Sequence, residues 1–104
     1  MKKILILVAI LLVSGCTGQG NDVEIELAKQ SCISLCEEYS EDKTAGPCLS
    51  DVMEWEIDNW VCDIAHDPRE PVDDQLANQC AAYHDGKASH FVEVEEDCKV
   101  IQVR

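Results

Sequence analysis

The sequence predicts an α+β fold in which one main helix packs on a short antiparallel sheet and disulfides hold the two together. Three observations carry that prediction. The chain has 104 residues, room for one domain at most. Residues 22–42 repeat apolar positions at helical spacing, whereas later segments alternate at the spacing of strands. Seven cysteines in so short a chain point to an oxidising compartment rather than the cytosol.

The N-terminus reads as an address rather than as part of the fold. Met1-Lys2-Lys3 is a basic start, and Ile4 to Val13 is an unbroken apolar run. Ten helical residues span roughly 15 Å, half the ~30 Å hydrocarbon core of a bilayer, so the run is too short for a stable span. Its length suits the core of a signal peptide, and Val13-Ser14-Gly15-Cys16 follows it directly. This ordered set resembles the lipobox of prokaryotic lipoproteins. The resemblance implies cleavage before Cys16, lipid (palmitate among its acyl chains) on that cysteine, and a cell-membrane anchor on the extracytoplasmic side. The competing reading is a plain secretory signal whose cleavage site contains a cysteine. Three regions follow: a signal peptide over 1–15, a lipidated cysteine and flexible tether over 16–22, and an acidic cysteine-rich domain over 23–104.

Charge limits the partners. The formal net charge is −13, and cleavage before Cys16 removes Lys2 and Lys3 but no acid, giving −15. Such a surface repels anionic headgroups, so the membrane contact is assigned to the lipid on Cys16. Nucleic acid is excluded as a partner, because phosphate contacts need clustered lysine and arginine. A high-salt habitat produces the same acidity. Five aromatic residues and short apolar clusters leave only a small core, which excludes the large cofactor-binding enzyme folds.

Each element follows from local pattern. Ala28, Cys32, Leu35, Cys36 and Tyr39 form one stripe of a helix over 22–42, capped by Asp22. Gly46-Pro47 ends this unit. Residues 49–59 fit a short helix only in part. Trp60 to Ala65 reads as a strand with Trp60, Cys62 and Ile64 on one face. Asp67 to Asp74 holds two prolines and is expected as a rigid polar loop. Gln75 to Tyr83 suits a helical turn carrying Cys80, and Asp85-Gly86 a chain reversal. His90 to Glu95 and Cys98 to Val103 form two strands able to pair as a hairpin.

Six cysteines remain after Cys16: Cys32, Cys36, Cys48, Cys62, Cys80 and Cys98. An even number in a small exported domain reads as a disulfide framework, with 15 possible connectivities. Cys32 and Cys36 lie one helical turn apart on the buried face. That placement favours one of them bonded to Cys62 and the other to a later cysteine. Zinc is the rival reading, but no CxxC pair is present and thiolates outside the cytoplasm oxidise.

The runs Gly46-Pro47-Cys48-Leu49-Ser50, Trp60-Val61-Cys62-Asp63-Ile64-Ala65-His66 and Gly86-Lys87-Ala88-Ser89-His90-Phe91-Val92-Glu93-Val94 resemble a group of small archaeal cysteine-rich surface proteins. The likeness spans residues 28–102. It implies a domain that stands alone and assigns no functional residue.

No signature of catalysis appears: there is no nucleophile elbow, no HExxH helix and no phosphate-binding glycine loop, so no enzyme and no cofactor is expected. No metal site is expected, the residues nearest to one being Asp63, His66 and Asp67, and Asp63 or Asp67 is expected to orient the His66 ring. His84 and His90 flank a turn and are expected in solvent. Carboxylates cluster at Asp67, Glu70, Asp73 and Asp74 and again at Glu93, Glu95, Glu96 and Asp97, without the spacing of a calcium loop. The expected function is therefore a surface interaction or structural module with an unknown protein partner. The alternative is a small redox or metal-binding protein using its Cys and His residues.

Overall fold

The computed structural model describes residues 20–104, so the signal peptide, the lipobox and most of the tether lie outside the described residues. The last part of the tether does not. Gly20–Glu38 is one helix, α1, which starts ahead of the expected Asp22 and ends four residues short of position 42. A short helix α2 (Leu49–Val52) follows, then strand β1 (Trp60–Ile64), two 3-10 turns (Pro71–Asp74 and Leu76–Asn78), helix α3 (Ala81–His84), and strands β2 (His90–Val94) and β3 (Val100–Val103). No helix of the described residues is long and apolar enough to cross a membrane.

The architecture is α+β, with α1 laid on a three-stranded sheet in the order β1-β2-β3. β2 and β3 form the expected antiparallel hairpin, bulged between Glu93 and Val94. β1 departs from expectation, for it pairs with β2 in parallel, and the sheet is mixed. A parallel pair needs a long crossover. Residues 65–89 supply it, with both 3-10 turns and α3, and they close over the face away from α1. Pro71 at the first position of a 3-10 turn explains why Asp67–Asp74 is not a loop throughout: the fixed φ of proline starts such a turn, and its missing N–H costs nothing there. Positive φ falls mostly where residue type allows it, with Cys98 at 69° the exception. Asn59 and Gly86 both take positive φ, at 71° and 80°.

Two apolar clusters sit on opposite faces of the sheet. Under α1, Ala28, Cys32, Leu35 and Cys36 meet Trp60, Cys62 and Ile64 of β1 and Val92 and Val94 of β2. On the other face Cys48, Val61, Cys80 and Ala88 pack with Phe91. The large side chains with no exposure are Leu49, Ile64, Val92, Val94, Cys32, Cys36 and Cys62. Three of the seven are cysteines. The sulfur bridges thus stand inside the core.

Those bridges are Cys32–Cys62, Cys36–Cys98 and Cys48–Cys80. The first two join α1 to β1 and to the turn before β3, one to Cys62 and the other to a later cysteine, as the helical spacing favoured. Polar ties hold the start of β1, one of them to α1. The Trp60 indole N–H donates to Glu24 of α1 at 2.8 Å, and the Trp55 indole donates to the Trp60 carbonyl at 2.8 Å. His90 is not a solvent residue: it sits beside Trp60 in register and stacks on it at 4.7 Å.

Burial predicts unequal costs for two leucines. Leu49→Ala, at a site with 0% exposure, is expected to lower stability by about 2–5 kcal/mol. Leu76→Ala, at a site 67% exposed, should stay within about 0.5 kcal/mol of the parent. Urea melts of the two variants check the contrast.

Candidate functional site

Two polar constellations stand out, and both lie on the crossover side of the sheet. The first centres on Asp63. Strand alternation sends Trp60, Cys62 and Ile64 toward α1, so Val61 and Asp63 face the other way. The parallel register then sets Asp63 directly beside Glu93 of β2. Two carboxyl groups side by side on one sheet face repel one another. Burial pushes the Asp63 carboxyl up from its ordinary 3.8 to about 8, and the Glu93 charge adds to the rise. Arg69 opposes it, and Asp73 reinforces it. The shift favours the protonated acid near neutral pH; Asp63 is half-buried as a residue, and its Oδ1 is buried with no hydrogen-bond partner.

A cavity of about 460 Å³ opens over this residue. Its walls include Asp63, Cys80, Tyr83, Phe91, Glu93 and Arg104. Tyr83 and Phe91 meet edge to face at 5.0 Å and form the apolar side. Arg69, which also borders the cavity, is held by Asp74 at 2.9 Å and by Glu93 at 3.3 Å.

The second constellation centres on His66. Nδ1 lies 2.9 Å from Asp73 Oδ1, and Nε2 lies 3.0 Å from Glu96 Oε2. With a carboxylate at each nitrogen, the ring can donate to both only as an imidazolium. The hydrogen bond to Asp73 raises the His66 pKa above its ordinary value; burial opposes the rise, and the charges of Asp73 and Glu70 support it. Asp73 itself is 3% exposed. Burial pushes its carboxyl up, but N–H donation from Glu70 and hydrogen bonds from the His66 ring and backbone outweigh that and hold it below the ordinary range. Gly46 approaches this carboxylate so closely that a Cβ there would sit 2.7 Å from Asp73 Oδ1. His66 thereby ties the two acidic clusters to each other, Asp73 and Glu70 from the crossover and Glu96 from the β2–β3 turn.

The sequence assigned His66 the wrong orienting groups. Asp73 and Glu96 orient the ring rather than Asp63 or Asp67, because Asp63 points into the sheet-side cavity and the chain folds back only at the 3-10 turn. Nor do Asp63, His66 and Asp67 converge as metal ligands. Among the described residues the trio that converges is Cys48, Asp63 and Cys80, with donor atoms within 4.8 Å of one another. Two of those three are bonded together as a disulfide, so they offer no thiolates to a metal. His84 pairs with Asp85 at 3.3 Å and is exposed, as expected. One signal for Asp63 was present in the sequence: an acid flanked by Cys62 and Ile64 in an otherwise apolar run.

No family model matches this chain, and neither a curated protein nor a solved structure matches it.

Both constellations set a pH dependence. Asp63 has a folded pKa above its unfolded value, so the folded state holds that proton more tightly and stability falls as pH rises from about 4 through about 8. Asp63→Asn should therefore be more stable than the parent at pH 7 and no different below pH 3.8. His66 also has a raised pKa; its contribution is fully present below about 6.5 and is lost as pH rises through the raised value. His66→Gln is expected to weaken the protein most at acidic pH, with the deficit shrinking above neutrality. Denaturant melts across pH 4–9 read both effects.

Proposed function

We propose that this chain is a lipid-anchored extracytoplasmic module that acts by binding a partner. The observation that carries the reading is the cysteine pairing. Cys32, Cys36, Cys48, Cys62, Cys80 and Cys98 close on one another among the described residues, and Cys16 is the seventh cysteine of the sequence. A cysteine left over directly after a short apolar run and small residues is the one suited to acylation. The three bridges also support an oxidising location, since such a framework persists outside the cytosol.

The binding reading draws on charge and on the crossover. Twenty-one acidic residues against eight basic ones favour a partner with positive charge. The segment Asp67–Asp74, ordered by the His66–Asp73 and Arg69–Asp74 contacts, is the rigid surface such a partner would meet. Rigidity before binding lowers the entropy lost on association.

Intact-mass analysis of the membrane-extracted protein should give a chain starting at Cys16 plus acyl mass, and Cys16→Ser should move the protein to the soluble fraction. An unmodified product, or a Cys16→Ser variant that stays on the membrane, would sink the anchor. For the binding role, the domain over 17–104 immobilised on a resin should retain a cationic partner and release it as salt is raised.

A further inference from the structure

The Cys48–Cys80 disulfide differs from the other two in place and in company. Cys32–Cys62 and Cys36–Cys98 lie in the main core beneath α1, whereas Cys48 and Cys80 lie on the opposite face with Val61 and Ala88. Cys48–Cys80 joins the start of α2 to the start of α3 and leaves the contact of α1 with the sheet untouched. Cys80 is only 5% exposed but borders the 460 Å³ cavity, the side from which a small reactant would reach this bridge.

Asp63 stands beside it. A carboxyl oxygen of Asp63 lies within 4.8 Å of both sulfurs. Its Oδ1 is buried without a donor, a deficit that typically costs about 1–3 kcal/mol and calls for a reason. A disulfide carries no hydrogen and cannot donate. Opening the bond creates thiol donors next to the acid. Ser50 is also placed for this chemistry, with Oγ at 3.3 Å from the Cys48 sulfur and 3.7 Å from the Cys80 sulfur, where its hydroxyl can donate to a thiolate.

We propose that Cys48–Cys80 is a thiol–disulfide exchange site that accepts electrons from a dithiol partner, with Asp63 as the proton donor to the leaving sulfur. One thiolate of the partner attacks Cys80 Sγ from the cavity, the Cys48–Cys80 bond breaks, and a mixed disulfide forms. Cys48 leaves with the electron pair, swings from within 4.8 Å into hydrogen-bond reach of Asp63 and takes its proton, becoming a thiol beside a carboxylate. That carboxylate then removes the proton from the partner's second thiol. The new thiolate attacks the partner's own sulfur, the mixed disulfide breaks, and Cys80 leaves as a thiolate. The partner ends as a disulfide, oxidised by two electrons, and Asp63 is an acid again.

The match of acid to leaving group supports this route. Burial and the Glu93 charge move the Asp63 carboxyl up toward the range in which thiols ordinarily titrate, which suits it to exchange a proton with a leaving sulfur. The groups facing Asp63 are Glu93 from β2 and Arg69 and Asp73 from the crossover, with Tyr83, His84 and Arg104 on the cavity wall.

The test is timed reduction of the full chain by dithiothreitol, quenched by alkylation and read by peptide mapping. Cys48 and Cys80 should be labelled first, while the other four cysteines stay bonded and the far-UV spectrum is retained. Divided by the reductant's thiolate concentration, the rate should fall about tenfold between pH 7 and pH 9 as the acid form is lost. Asp63→Asn should slow the step at pH 7 and flatten that profile. Opening of Cys48–Cys80 together with or after the other bridges would overturn the proposal without any variant. So would a parent profile that shows no fall above pH 8, or an Asp63→Asn profile identical to the parent's.

Discussion

The attachment of one helix to one sheet by two sulfur bridges a single turn apart is the constraint on which the structure depends. Cys32 and Cys36 share the buried stripe of α1, and their partners Cys62 and Cys98 come from different parts of the sheet layer. They close segments of 30 and 62 residues, each stabilising by roughly 3–4 kcal/mol through restriction of the unfolded chain. The rest of the core under α1 is modest, with Leu49, Ile64, Val92 and Val94 as its large fully buried aliphatic side chains. A domain of this size draws only a few kcal/mol of net stability from its apolar core. The two bridges are therefore comparable to the whole.

With the helix face fixed, the opposite face of the sheet is free to carry polar chemistry. The parallel pairing of β1 with β2 places Asp63 against Glu93, and the crossover that parallel pairing requires brings Arg69, Asp73 and Cys80 over them. A buried protonated carboxyl is unfavourable for stability at neutral pH. It persists because the bridged core tolerates it, and it lies beside the one disulfide that the α1–sheet contact does not need. His66 works in the opposite direction: its charge, set between Asp73 and Glu96, holds together loops whose carboxylates would otherwise repel.

Much of this was legible in the sequence where the signal is local. The stripe from Ala28 to Tyr39, the alternation of Trp60, Cys62 and Ile64, and the hairpin after Asp85-Gly86 are all short-range patterns, and each found its element. So did the pairing of a helix cysteine with Cys62, because a spacing of four residues fixes a face. The parallel register was not legible, since nothing near β1 signals a partner that lies thirty residues along the chain. What depends on that register was lost with it: the Asp63–Glu93 neighbourhood and the stacking of His90 on Trp60; Asp73 as the group that orients His66 was lost instead with the 3-10 turn that folds the chain back. The apolar company of Asp63 was a usable clue to its burial, but its consequence needed the strand beside it.

The fold stands on the two bridges beneath α1, and removing them tests that dependence most directly. A variant carrying Cys32→Ala, Cys36→Ala, Cys62→Ala and Cys98→Ala should be compared by thermal melting and far-UV spectroscopy with one carrying only Cys48→Ala and Cys80→Ala. The four-substitution chain is expected to lose its helical signal and its cooperative transition, while the two-substitution chain keeps both at reduced stability. A cooperative melt and an intact helical signal in the four-substitution chain would contradict the claim that sulfur holds this fold together.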